Sequence, residues 1–147
     1  MVELREITRN NFDDCIKLKV SEAQKEFVAT NIYSLAQAWV YYKTAFPFAI
    51  YAENNLVGFI MAGYYEPQNR YNIWRFMIDE RYQSKGYGKA ALLLAISYLK
   101  EEHGAREIFL SVVPENTAAK NLYHRIGFQL TGEMSGSEVV MRLGHME

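Results

Sequence analysis

Apolar positions change period several times along the chain, and each change predicts an element. Residues 4–7 read as a short first strand, and Thr8 is placed to cap a helix over 11–19. A weakly amphipathic helical piece follows over 22–30, then a helix capped by Ser34 and running to residue 43. Pro47 opens a strand over 48–51, and Glu53-Asn54-Asn55 is a hairpin-type turn into a strand over 56–61. Glu66-Pro67-Gln68-Asn69 turns the chain again, into a strand over 71–78. From residue 87 the period lengthens to that of a helix, predicted over 87–102 and ended by the C-cap pattern His103-Gly104. Its apolar face is Ala91, Leu94, Ala95, Tyr98 and Leu99, widened by Leu92 and Ile96. A strand over 108–113 stops at Pro114, Asn116 caps a helix over 117–126 that Gly127 closes, and strands over 128–133 and 139–143 complete the pattern.

The order βααβββαβαββ mixes antiparallel hairpins with two helical crossovers, which predicts an α+β fold: one mixed β-sheet flanked by helices. With 147 residues and no repeat, linker or low-complexity stretch, a single domain over 1–147 is expected. A chain of that size buries about 68–70 % of its unfolded surface, enough for a sizeable core.

Charge and cysteine content remove several classes of function. The net charge of −1 provides no general attraction for nucleic acid or an anionic membrane, so neither is expected as a partner. Glu3, Arg5 and Glu6 interrupt any signal-type apolar segment, and the longest apolar run, 90–96, is too short to cross a bilayer. Cys15 is the sole cysteine, so no internal disulfide can form, which suits the cytoplasm. It falls with Phe12 and Ile16 on one side of the first helix and reads as core, lacking the charged neighbours that activate a thiol. His103, His124 and His145 have no metal-ligand spacing with one another or with Cys15, so no metal is expected.

The chemistry concentrates in Gln83-Ser84-Lys85-Gly86-Tyr87-Gly88-Lys89-Ala90, between an apolar strand and the long helix. Two glycines let backbone N–H groups approach an anion closely, and the helix aims its unpaired N–H groups and positive dipole end at the same place. Lys85 and Lys89 add positive charge. This is the make-up of a pyrophosphate cradle. The segment Gly86-x-Gly88-x-x-Ala91 also satisfies the dinucleotide fingerprint, with Glu107 about where a ribose-binding acid belongs. Two features oppose that reading: the polar stretch 79–85 separates strand from glycine, and Glu107 opens the next strand where the ribose acid should close it.

A second motif lies downstream: Asn116-x-x-Ala119-x-x-Leu122-Tyr123-x-x-x-Gly127-Phe128. The two motifs, in this order and at this separation, resemble the GNAT superfamily of N-acetyltransferases over roughly residues 73–134. Gln83, Gly86 and Gly88 match its loop, and Asn116, Leu122, Tyr123, Gly127 and Phe128 its later helix. The chain as a whole, including 76–83, is similar to the bacterial diamine and spermine/spermidine acetyltransferases of that superfamily. The resemblance implies acetyl-CoA as co-substrate, with its pyrophosphate on residues 83–90 and its pantetheine arm along the backbone of Phe76, Met77 and Ile78. A backbone N–H near Ile78 would serve the thioester carbonyl as an oxyanion-type donor. Asn116 would lie near the thiol, and Tyr123 would be the general acid. A homodimer is expected by the same resemblance.

Several alternatives stay open at this level. Tyr123 also belongs to the stripe Ala119, Leu122, Tyr123 and Ile126, so its spacing suits a core aromatic equally. The general base is undetermined among Asp79, Glu80, Glu66, Glu22, Glu26 and a water chain. Helical spacing would put Glu22 and Glu26 at i, i+4 on one face, near Tyr33, Trp39, Tyr41, Tyr42, Tyr64, Tyr65, Tyr71 and Trp74. Carboxylates beside aromatic faces suit a small cationic amine, such as a polyamine. Protein N-termini and aminoglycosides are the other acceptors considered. A catalytically silent acyl-CoA-binding domain is the alternative of a different class.

Overall fold

Among the described residues, three of the four non-glycine residues at positive φ mark turns that lay out the sheet; the fourth, Ser84, lies in the loop before the long helix. The computed structural model describes residues 1–144, and His145 lies outside them. Glu53 and Asn54, at φ 50° and 66°, make the tight turn that joins β2 (Ala45–Ala52) to β3 (Asn55–Tyr65) as an antiparallel hairpin. Asn69, at φ 52°, ends the 3-10 turn Glu66–Gln68 and returns the chain into β4 (Arg70–Ile78). With β1 (Val2–Glu6), β5 (Ile108–Val112), β6 (Gln129–Ser135) and β7 (Glu138–Leu143), these form one mixed seven-stranded sheet in the order β1-β2-β3-β4-β5-β7-β6. That is the α+β arrangement expected.

Helices cover both faces. Strand β3 reads as an unbroken apolar run because consecutive residues enter different cores. Ile60 and Ala62 pack beneath α3 (Tyr87–His103), while Phe59 and Met61 join Cys15, Leu18 and Ala38 beneath α1 (Phe12–Lys17) and α2 (Asn31–Val40). Cys15 is fully buried, and burial pushes its thiol from 9.0 up to about 11, a core residue as expected. The buried stripe of α3 is Ala91, Leu92, Ala95, Ile96 and Leu99. Leu94, expected on that face, lies more than a quarter-turn from its centre and is exposed. Gly104 adopts φ 69° and Ala105 donates its N–H back to Leu99 O at 3.0 Å, the predicted C-cap.

The first third of the chain departs most from expectation. Helix α1 is short, and the helical piece expected over 22–30 is a 3-10 turn, Glu22–Gln24, followed by further turns. Its backbone bonds run from residue i to i−3: Gln24 to Ser21, Lys25 to Glu22, Phe27 to Gln24. Helix α2 is capped by Thr30, whose side chain accepts the Tyr33 N–H, and not by Ser34, which is buried inside the helix and donates to Thr30 O. Strand β2 begins before Pro47, which lies beyond the last β1 pair, Glu6↔Phe48, where the strand is an edge and needs no N–H on that side. This irregular third is fastened by Asp79. Its buried carboxylate accepts the backbone N–H groups of Lys19 and Arg81 at 3.0 Å each and Arg81 Nε at 2.8 Å. Burial alone would raise its pKa; the hydrogen bonds from Arg81 and Lys19 outweigh it and lower it. Asp79 is therefore a structural anchor, its side chain buried and held by three hydrogen bonds within the chain.

Candidate active site

The site begins with one surplus residue. Met61 pairs with Arg75 and Ala62 with Ile73, so Trp74 is an extra residue in β4, a bulge that bends the strand. Beside it, β4 and β5 pair in parallel only at Tyr71↔Ile108 and Asn72↔Phe109. Beyond those two pairs the strands part. Arg70 holds the closed end: its guanidinium grips Glu133 in a bidentate pair at 2.9 Å and lies 4.1 Å over the Phe109 ring. A cleft of about 590 Å³ occupies the gap.

Backbone alternation decides what β4 offers to that cleft. Asp79 N–H bonds to Val57 O on the β3 side, and alternate residues of a strand direct their polar groups to the same side. Met77 thus turns its backbone to β3, while Phe76 and Ile78 turn theirs to the cleft. In agreement, the Ile78 carbonyl accepts Gln83 Nε2 at 2.9 Å, and the same amide reaches Gln24 Oε1 at 2.9 Å.

Across the cleft stands the N-terminus of α3. Gly86 is its N-cap at φ 84°, and Ser84 before it is at φ 63°. The first intrahelical bond is Ala90 N–H to Gly86 O, which leaves the amides of Tyr87, Gly88 and Lys89 for an anion. The two glycines serve different ends. A Cβ on Gly86 would meet nothing within 4 Å, so its backbone angle alone requires glycine. A Cβ on Gly88 would lie 3.2 Å from the Phe76 ring, so there glycine permits close approach of helix to strand. Gln83, Ser84, Gly86, Tyr87, Gly88 and Lys89 line the cleft; Lys85 and Ala90 do not. These features fit a pyrophosphate. Glu107, the residue a dinucleotide site would need, instead pairs with Arg142 at 3.6 Å.

Asn116 and Tyr123 close the remaining side. Asn116 lines the cleft and caps α4 (Thr117–Ile126), its Oδ1 accepting the Ala119 N–H at 3.3 Å. Tyr123 is 8 % exposed, packs against Phe76 and Phe128, and still lines the cleft. Burial, with a smaller contribution from the charge of Glu138, pushes its phenol from 10.0 up to about 12. The core and site readings of Tyr123 are thus compatible. Residues that spacing did not single out also line the cleft: Arg75, whose Nε is buried without a partner, Ser111 and Glu138.

The acetyltransferase (GNAT) family model matches residues 6–128. The chain belongs to that family. It is 36 % identical to the spermine/spermidine N(1)-acetyltransferase of Bacillus subtilis, over 96 % of this chain and 97 % of that protein. The fold matches that of the spermidine N-acetyltransferase from Vibrio cholerae in complex with CoA and spermine, with TM-score 0.76 and 18 % identity over 96 % of this chain and 92 % of that one. It also matches the PaiA N-acetyltransferase from Thermoplasma acidophilum in complex with coenzyme A, with TM-score 0.74 and 19 % identity over 99 % of both chains.

In this GNAT acetyltransferase the expected acidic pair is not assembled. In a 3-10 turn residues i and i+3 eclipse one another, so Glu22 aligns with Lys25, to which it is paired at 2.9 Å, and not with Glu26. Glu22 and Glu26 are both exposed on the outer surface, and neither lines the cleft. Gln24 and Phe27 of the same segment do. Of the aromatic residues, Trp74 lines the cleft, whereas Trp39 and Tyr42 are exposed around the end of α2. A signal for Ser111 existed, a lone polar residue in Ile108-Phe109-Leu110-Ser111-Val112; Glu138 had none, because only strand pairing brings it there. Among the described residues no helix is long and apolar enough to cross a membrane.

Proposed function

We propose that this acetyltransferase transfers the acetyl group of acetyl-CoA to a primary amine, foremost a small polyamine such as spermidine, spermine or a diamine. The observation that carries the substrate class is the end-to-end match to the Bacillus subtilis spermine/spermidine acetyltransferase. The acetyl-CoA assignment rests on the cleft: the amides of Tyr87, Gly88 and Lys89 take the pyrophosphate, and the Phe76 and Ile78 backbone takes the pantetheine arm. Attack by the neutral amine forms the C–N bond and breaks the C–S bond. One ammonium proton leaves before attack, a second is lost as the amide forms, and the departing sulfur takes one up. The Ile78 N–H stabilises the carbonyl oxygen as it gains charge. Tyr123 stays protonated at neutral pH and donates to the sulfur. At a pKa of about 12 it is a weaker acid than a thiol, ordinarily near 8.5, so it serves as hydrogen-bond donor and relay, with the proton coming from the nitrogen.

Arg75 favours a second reading. A guanidinium on the cleft wall repels a polycation and suits an acceptor with carbonyl or carboxylate groups, such as a peptide N-terminus. A thiol-release assay over spermine, spermidine, a diamine, a peptide and an aminoglycoside decides. Polyamines are expected to lead the peptide by about 10-fold or more in kcat/KM. The reverse order selects the second reading and overturns the first.

A further inference from the structure

Strand parity places a carboxylate at the mouth of the gap. On β5, Leu110 and Val112 enter the core beneath α3, so Ser111 between them faces the opposite side of the sheet. On β7, Val139 and Met141 enter that same core, so Glu138 and Val140 share the side of Ser111. Ser111 pairs with Val140, and its hydroxyl donates to Glu138 Oε1 at 2.8 Å. Both residues line the cleft, and Ser111 also lines an adjoining groove of about 400 Å³. The two cavities share Ile73, Trp74 and Arg75 as well, so the gap between β4 and β5 joins them. Tyr123 approaches from the α3 side and Glu138 from the other. Glu22, Asp79, Glu107 and Glu133 each pair with a lysine or arginine; Glu138 has no such pair among the described residues. A half-buried carboxylate, oriented by a hydroxyl and open to the cleft, is left to pair with a cation from outside the chain.

We propose that Glu138, held by Ser111, receives the ammonium group of the acceptor and aligns its nitrogen at the gap between β4 and β5. This rests on the reading of the acceptor as an amine, whichever amine that is. It assigns to β7 the carboxylate that sequence spacing had placed at Glu22 and Glu26.

Glu138→Gln keeps the size of the side chain and an acceptor for Ser111 while removing the charge. Steady-state kinetics with the amine that the wild type turns over best should show KM for the amine raised about 10-fold or more, and KM for acetyl-CoA within about 2-fold. Glu138→Asp should recover part of the loss, and added salt should raise the amine KM of the wild type but not of Glu138→Gln. An amine KM within about 2-fold of wild type in Glu138→Gln overturns the proposal. Should that variant lack native circular dichroism, Ser111→Ala carries the test: about a 3-fold rise in amine KM supports the proposal, and no rise overturns it. Failure of the polyamine reading looks different. The wild type would then prefer another amine, and Glu138→Gln is measured with that one.

Discussion

Tyr123 sets two requirements against each other in one side chain: burial keeps its proton in place, and the same burial makes the proton harder to give. Tyr123→Phe retains the packing against Phe76 and Phe128 and removes the donor. We expect kcat to fall by at least about 10-fold, with cofactor affinity changed much less. Unaltered kcat, with chemistry rate-limiting, would leave Tyr123 a core aromatic. The same phenol has a thermodynamic signature. The pKa values of Cys15 and Tyr123 rise on folding from 9.0 and 10.0 to about 11 and about 12. The folded chain thus keeps protons that the unfolded chain releases. Their contribution is complete below pH 9 and is lost as pH rises through 11 and 12. A two-unit shift corresponds to about 3 kcal/mol, so chemical-denaturation curves should weaken with alkali by that order for each group, and Tyr123→Phe should lose only the part between pH 10 and 12. At this scale the motifs made Tyr123, Asn116 and the loop glycines legible. Ser111 showed only as a lone polar residue in an apolar strand and Glu138 not at all, because a side chain's place across a sheet depends on a register that no local spacing records.

Among the elements, the loop and helix α3 were readable because glycine, lysine and a helix start state their purpose locally. Their test is steric and electrostatic. Aspartate at Gly86 or Gly88 adds a negative charge at the proposed diphosphate site, with backbone strain at the first position and a clash with the Phe76 ring at the second. Calorimetric titration should show no detectable acetyl-CoA binding in either variant while circular dichroism stays native; binding that survives would remove the cradle. The segment 22–30 was misread for a physical reason. Its apolar residues Ala23, Phe27 and Val28 are spaced as on an α-helix, and tertiary contacts, here the Gln24–Gln83 bond, override that pattern. Thr30 and Ser34 are likewise interchangeable hydroxyls until packing buries one of them.

For the whole molecule, a mixed sheet between two helical layers followed from the order of elements, whereas the parting of β4 from β5 did not. Each strand reads as ordinary alone, and only their short shared ladder shows that they diverge. Asp79 matters at this scale because it joins the α1–α2 connection to the end of β4. Asp79→Ala leaves the Lys19 and Arg81 amides without their acceptor and should cost about 2–4 kcal/mol in denaturant unfolding. Asp79→Asn, which keeps one acceptor oxygen, should cost less, and equal losses would deny the carboxylate its special place. The divergence has a mechanical side as well. The two strands form a wishbone whose vertex is the clamp of Arg70 on Glu133 and Phe109. From Asn72 to Ile78 the β4 arm extends about 20 Å, so a change of about 5° at the vertex moves its tip by about 2 Å. That is more than the tolerance of a hydrogen bond. In the proposed mechanism the distance from Tyr123 to the sulfur would therefore be calibrated at the far end of the sheet, by an ion pair that does not line the cleft.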